Sequence, residues 1–257
     1  MPIRTTAIVN LKGGVAKSTT AINMAAILAK KYGKKVLIID ADSQCNTTEF
    51  FDADPDKGNL ASVLRNSGSE PRPGVDAAYN IQATRHERID ILAGDDSLMD
   101  LDLSKVEQQT VNANVLRYLV EEVQAVYDYV LIDCPPAFNA ASAAALIAAD
   151  DVIIPIKLDA FSLRGMVNLM RQIQNMRKIN PKLKISGILP TMWYKDPEIE
   201  AAEDQLRKAG LHVFPHIRRS DKVDKMTFRQ EPLLISSPKS SAGKDYRKFV
   251  EAFMGGK

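Results

Sequence analysis

The stretch from Thr5 to Ala25, TTAIVNLKGGVAKSTTAINMA, constrains this chain more than any other. It opens with Ala7-Ile8-Val9, an apolar run suited to a buried strand, and passes through Lys12-Gly13-Gly14-Val15-Ala16-Lys17-Ser18-Thr19. It then turns helical, with Ile22, Ala25, Ala26 and Ala29 on one side. Strand, glycine turn and a helix with Lys-Ser at its start form the layout of a phosphate-binding loop. The glycines let backbone N–H groups turn inward against a phosphate, and the free N–H groups of the helix start add a positive dipole end. In that layout Lys17 reaches the β- and γ-phosphates and the Ser18 hydroxyl faces Mg²⁺. The ordinary pattern GxxxxGK(S/T) asks for glycine at positions 11 and 16, where this chain has Leu11 and Ala16. A second lysine, Lys12, stands directly before the glycine pair instead.

The 257 residues suffice for one large α/β domain, so positions 1–257 are read as a single unit. A net charge of +2 predicts no general affinity for nucleic acid, so any basic surface must be local. Two cysteines, Cys45 and Cys134, without a CxxC, indicate neither a disulfide framework nor a zinc site. The longest apolar run, near Ala143–Ala149, is too short to span a bilayer, and the N-terminus has no signal-peptide pattern. A cytoplasmic protein is expected.

Further strands are expected at Lys34–Asp40, Ile89–Ala93, Tyr127–Asp133, Asp151–Ile156, Leu183–Leu189 and, briefly, Leu211–Phe214. Helices are expected at Asn59–Arg65, Val111–Val126, Ala137–Ala149, Ser162–Lys178, Glu198–Lys208 and Ser240–Phe253, and a surface loop at Asn66–Ala78. Strands and helices alternate, and the strands are continuous apolar runs. That predicts a doubly wound, mostly parallel sheet with helices on both faces and ligands at the carboxyl ends of its strands.

Acidic residues fall at two such ends. Asp40 and Asp42 follow the second strand, and two acids one residue apart point the same way. They suit a water or a magnesium-bound water beside a γ-phosphate, and equally a solvated turn with an Asx cap. Asp133 closes the apolar run YVLID, the Walker B pattern, whose carboxylate binds Mg²⁺ through water. Ser18, Asp40 and Asp133 are therefore the candidate metal residues. Cys134 reads as a small packing residue, and His86, His212 and His216 as structural or exposed.

The form KGGxxK(S/T) resembles the ParA/MinD superfamily of deviant-Walker ATPases. DADSQ at Asp40–Gln44 is similar to that family's D-x-D-P-Q, with Ser43 for proline, and Asp133-Cys134-Pro135-Pro136 to its D-(C/T)-P-P. GILPTMW (187–193), IRRS (217–220) and SPKSSAGKDY (237–246) extend the likeness, with Arg218 where many members have proline. The resemblance implies an ATPase using ATP and Mg²⁺. It assigns hydrolytic water positioning to Asp42, and to Lys12 a reach across a homodimer into the partner's nucleotide. It places Met192, Ile217 and Arg218 beside the base, and segment 159–169 on the dimer face. It implies a late basic patch for sequence-independent binding to double-stranded DNA, here Arg218, Arg219 and Lys222, which otherwise read as solvated surface.

The function so implied is that of a ParA-type partition ATPase. Its ATP-bound dimer binds nucleoid DNA, and a ParB-like partner stimulates hydrolysis, segregating a plasmid, mobile element or chromosome. No N-terminal helix-turn-helix extension is expected. The alternative is a MinD-like membrane-cycling ATPase or one that positions other protein cargo; the tail YRKFVEAFMGGK reads as a core-packing helix rather than a membrane anchor. A metal-cluster carrier would need cysteines that this chain lacks.

Overall fold

The computed structural model describes residues 3–66, 75–108 and 110–255. The apolar runs become β1 (Arg4–Ile8), β2 (Val36–Asp40), a short β3 (Gln82–Ala83), β4 (Ile89–Leu92), β5 (Tyr129–Asp133), β6 (Asp151–Lys157) and β7 (Lys184–Thr191). They join in one sheet of order β3-β4-β2-β5-β1-β6-β7, parallel throughout except where β3 runs against β4 at the edge. Between them lie α1 (Lys17–Tyr32), α2 (Asn46–Phe50), α3 (Leu60–Asn66), α4 (Leu103–Glu107), α5 (Val115–Val123), α6 (Ala140–Ala148) and α7 (Ala160–Met176), and after β7 come α8 (Pro197–Lys208), α9 (Asp221–Arg229), α10 (Leu233–Ser236) and α11 (Ser241–Phe253).

Side chains alternate across the sheet, so each strand feeds two cores. Leu37, Ile39, Val130 and Ile132 pack with α3, α5, α6 and α7 on one face. Val36, Ile38 and Leu131 pack with α1, α9 and α11 on the other. Burial on both faces is why these strands read as unbroken apolar runs rather than alternating ones.

Several expectations are corrected. Residues 211–214 form no strand of the sheet: Val213 makes an isolated bridge to Ile188, with Ile188 N–H on His212 O and Phe214 N–H on Ile188 O. The helix expected over Val111–Val126 is confined to Val115–Val123, because the Asn112 side chain accepts from Asn114 N–H and holds the preceding residues in a turn. The loop expected over Asn66–Ala78 lies largely outside the described residues, and its end belongs to a 3-10 turn, Val75–Asn80. α9 was not anticipated: it is short, mostly polar, and buries only Met226. Among the described residues no helix is long and apolar enough to cross a membrane.

Candidate functional site

The carboxyl ends of β1, β2 and β5 lie side by side, Ile8 in register with Asp133 and Asp133 with Asp40. Above this edge opens a cavity of about 1220 Å³, walled by the glycine loop, Asp42, Gln44, Thr191, Met192 and residues 217–221. Asn10 shapes the loop: its side-chain amide donates to Pro155 O at 2.7 Å, and its Oδ1 accepts from Lys12 N–H at 2.9 Å. Gly14 has φ +68°, and a Cβ on Gly13 or Gly14 would meet open space, so nothing fills the cradle from within. Ala16, where the ordinary motif has glycine, holds φ 67°. That left-handed alanine costs about 1–2 kcal/mol relative to a helical one. Its carbonyl is used at once by Thr20, whose N–H and Oγ1–H both donate to it, at 3.0 and 2.7 Å.

The two lysines of the loop diverge. Lys17 is 6% exposed, lines the cavity and donates from Nζ to Lys12 O at 3.2 Å, spanning the cradle. Burial pushes its ammonium pKa down, while the charges of Asp133 and Asp42 work against that. Lys12 turns away. Its Nζ donates to both oxygens of Asp159 and to Ser162 Oγ, each at 2.9 Å. Burial would raise the Asp159 carboxyl, but hydrogen bonds from Lys12 and Ser162 outweigh it and bring it down to about 2. Asp159 is also the N-cap of α7, accepting from Ser162 N–H at 2.8 Å.

The three carboxylates are not equivalent. Asp42 lines the cavity, and one oxygen accepts from Gln44 N–H at 3.1 Å, so the Asx turn foreseen as an alternative is present. Asp40 does not share its direction. Its Oδ2 accepts from Thr48 N–H and Oγ1–H at 2.8 Å, and its Oδ1 from Asp42 N–H at 3.2 Å. The expected pairing of Asp40 with Asp42 on one water is corrected on this ground: both Asp40 oxygens are committed inside the protein. Asp133 is fully buried, with Oδ2 accepting from Thr47 Oγ1–H at 2.7 Å and Oδ1 left without a partner. Burial raises its pKa, and the Ser18 and Thr47 hydroxyls and Lys17 oppose that.

These residues fit magnesium. An orphaned carboxylate oxygen, a hydroxyl beside it and an open phosphate cradle supply one or two protein contacts, and Mg²⁺ draws its remaining ligands from phosphate and water. Accordingly, no cluster of three or more His, Cys, Asp or Glu side chains suited to a metal occurs among the described residues.

The far wall is built by two backbone segments laid together. Ile217 N–H donates to Pro190 O, Trp193 N–H to Ile217 O and Arg219 N–H to Trp193 O, at 2.8–3.0 Å. This brings Met192, Ile217, Arg218 and Arg219 onto the cavity wall. Arg218 is tied into the fold. Its guanidinium makes two bonds of 2.8 Å to the buried Asp245 of α11, and its own N–H adds a third. Lys222 lies 3.5 Å from Asp221, whereas Arg219 forms no ion pair among the described residues. Cys134 is fully buried and its thiol pKa is pushed up by burial, which leaves it a packing role. Sequence reasoning missed Asn10, Thr47, Thr48 and the tie of Lys12 to Asp159. Two adjacent threonines a short way past an acidic strand end were the available signal for the middle pair.

A strand, a glycine cradle with a buried lysine, a helix-start serine and a strand-end carboxylate define the class: a P-loop nucleoside triphosphatase. The AAA domain family model matches residues 3–185. The chain is 34% identical to the chromosome partitioning protein ParA of Caulobacter vibrioides, over 97% of this chain and 93% of that one. It therefore belongs to the ParA family of deviant-Walker ATPases. Among solved structures it is similar to cobyrinic acid a,c-diamide synthase of Mycobacterium smegmatis with bound ADP and magnesium. That match has a TM-score of 0.81 and 27% identity, covering 98% of this chain and 94% of that one. The ATP complex of Cyanothece McdA, at TM-score 0.85 and 23% identity over 99% and 97% of the chains, shares the fold.

Proposed function

We propose that this protein is a partition ATPase whose ATP-bound form is a sandwich dimer that binds DNA through phosphate contacts and is discharged by a ParB-like partner. The observation that carries the reading is the divergence of Lys12 and Lys17. Lys17 serves the cradle of its own subunit, while Lys12 leaves that cradle for Asp159 and Ser162 at the start of α7. A cation on a phosphate loop that does not face its own phosphates is useful to a second subunit's nucleotide, in the manner of an arginine finger given in trans. The name of the Caulobacter relative and the ADP and magnesium of the Mycobacterium neighbour support partition and the use of MgATP.

In this reading the loop N–H groups and Lys17 hold the β- and γ-phosphates, and Asp42 orients the attacking water. Ser18 and Asp133 would hold Mg²⁺, which supplies charge neutralisation on the phosphates. Met192, Ile217 and Arg218 border the base. Arg219 and Lys222 are the DNA candidates that remain once Arg218 is assigned to Asp245. The membrane-cycling alternative is disfavoured by α11, whose apolar residues Tyr246, Phe249, Val250 and Phe253 are spent in the core.

The test is binding to random-sequence double-stranded DNA without nucleotide, with ADP and with ATP, across a salt series. Binding with ATP alone that weakens as salt rises is the expected result. No binding in any state, with ATPase activity intact, would overturn the DNA reading in favour of protein-cargo positioning.

A further inference from the structure

We infer that Thr47 is a positioning residue that aims the Asp133 carboxylate at the metal position and mechanically couples it to the Asp42 loop. The inference rests on the nucleotide reading of the cavity. Asp40 and Asp133 are register neighbours at the ends of adjacent strands, and both are fully buried. Two such carboxylates compete for the same donors, and α2 decides between them with consecutive threonines. Thr48 gives its N–H and its hydroxyl proton to Asp40, and Gly94 N–H donates to the Thr48 oxygen at 2.7 Å, which leaves that hydroxyl no freedom. Asp40 thereby has both oxygens engaged, Oδ2 by Thr48 and Oδ1 by Asp42 N–H. Thr47 gives its one proton to Asp133 Oδ2 and leaves Oδ1 unpartnered. Fixing one oxygen of a carboxylate fixes the direction of the other, so Thr47, together with the Ser18 hydroxyl, helps set where Asp133 Oδ1 points.

α2 is also chained to Asp42. Cys45 N–H donates to Asp42 O, Gln44 N–H to Asp42 Oδ1, and Glu49 N–H to Cys45 O. A displacement of the Asp42 loop is therefore transmitted through α2 to Thr47, and from there to Asp133.

The test compares Thr47→Val, which keeps shape and removes the donor, with Thr47→Ser, which keeps the donor. Mn²⁺ binding to the ADP complex is read by electron paramagnetic resonance, and ADP affinity is measured separately in EDTA. Thr47→Val should weaken Mn²⁺ roughly 10–100-fold, the usual cost of removing a hydrogen bond that orients a metal ligand. ADP affinity in EDTA should be unchanged, and Thr47→Ser should restore Mn²⁺ binding. Thr47→Ala is the second donor-less variant should the valine protein not fold. Wild-type Mn²⁺ affinity in the donor-less variant overturns the inference, as does an equal loss of ADP affinity in EDTA. Failure of the wild-type protein itself to bind ADP would instead overturn the nucleotide reading, and the inference with it.

Discussion

Lys17 and Asp42 meet the same cavity with different duties, and single substitutions separate them. Lys17→Ala removes the buried ammonium that spans the loop, and nucleotide binding should be lost at concentrations that saturate the wild type, measured by titration calorimetry. Asp42→Ala leaves the cradle intact. ATP binding should persist while turnover falls roughly 10²-fold or more, the range for removing a group that orients or activates a reacting water. Asp159 offers a pH test. Its folded pKa, about 2, lies below its ordinary 3.8, so its pairing with Lys12 stabilises the folded state fully above that ordinary value. That contribution disappears as pH falls through about 2. The difference in urea midpoint between wild type and Asp159→Asn should be constant near neutrality and shrink towards zero across that acidic window.

Among the elements, α11 does the most to hold the base-side wall. Asp245 in its first turns grips Arg218, and Tyr246 places its hydroxyl 3.3 Å from Thr20 Oγ1 of α1. The helix is seated by Gly243, where a Cβ would sit 2.7 Å from the Ser237 carbonyl and 3.0 Å from Ser240 Oγ. A backbone oxygen cannot swing aside as a side chain can. Gly243→Ala should therefore cost about 1–3 kcal/mol, the usual penalty for overpacking, visible as a lower denaturation midpoint. α9 is the counterexample among the elements. Its N-cap Ser220, accepting from Lys222 N–H at 3.3 Å, was readable, but Phe228 is 90% exposed and Met226 is the one residue the helix buries.

At the scale of the whole molecule, the sheet gathers the chemistry at one edge and leaves Lys12 outside it. If Lys12 serves a facing subunit, Lys12→Ala should keep ADP affinity near wild type. Steady-state hydrolysis should fall roughly 10³-fold, the lower end for a charge supplied in trans. An ADP titration and a phosphate-release assay with ATP check the two halves of that expectation. Loss of ADP affinity instead would place Lys12 in its own subunit's site.

Local chemistry was enough to read the strand, loop and helix of residues 5–25 and the parallel α/β class. Glycine spacing, an apolar run and a helix start are encoded within a few residues of one another. The strand-end aspartates were legible as a set for the same reason. Their division of labour was not, because it depends on donors brought by α2 and by Gly94, and a hydrogen bond commits one oxygen at a time. The partner of Lys12 is 147 residues away along the chain, and that of Arg218 is 27. Neither pairing has a periodicity to betray it. Sequence determined which groups are present at the edge of the sheet. Only the tertiary structure decided which of them are already satisfied, and so which remain free to meet a ligand.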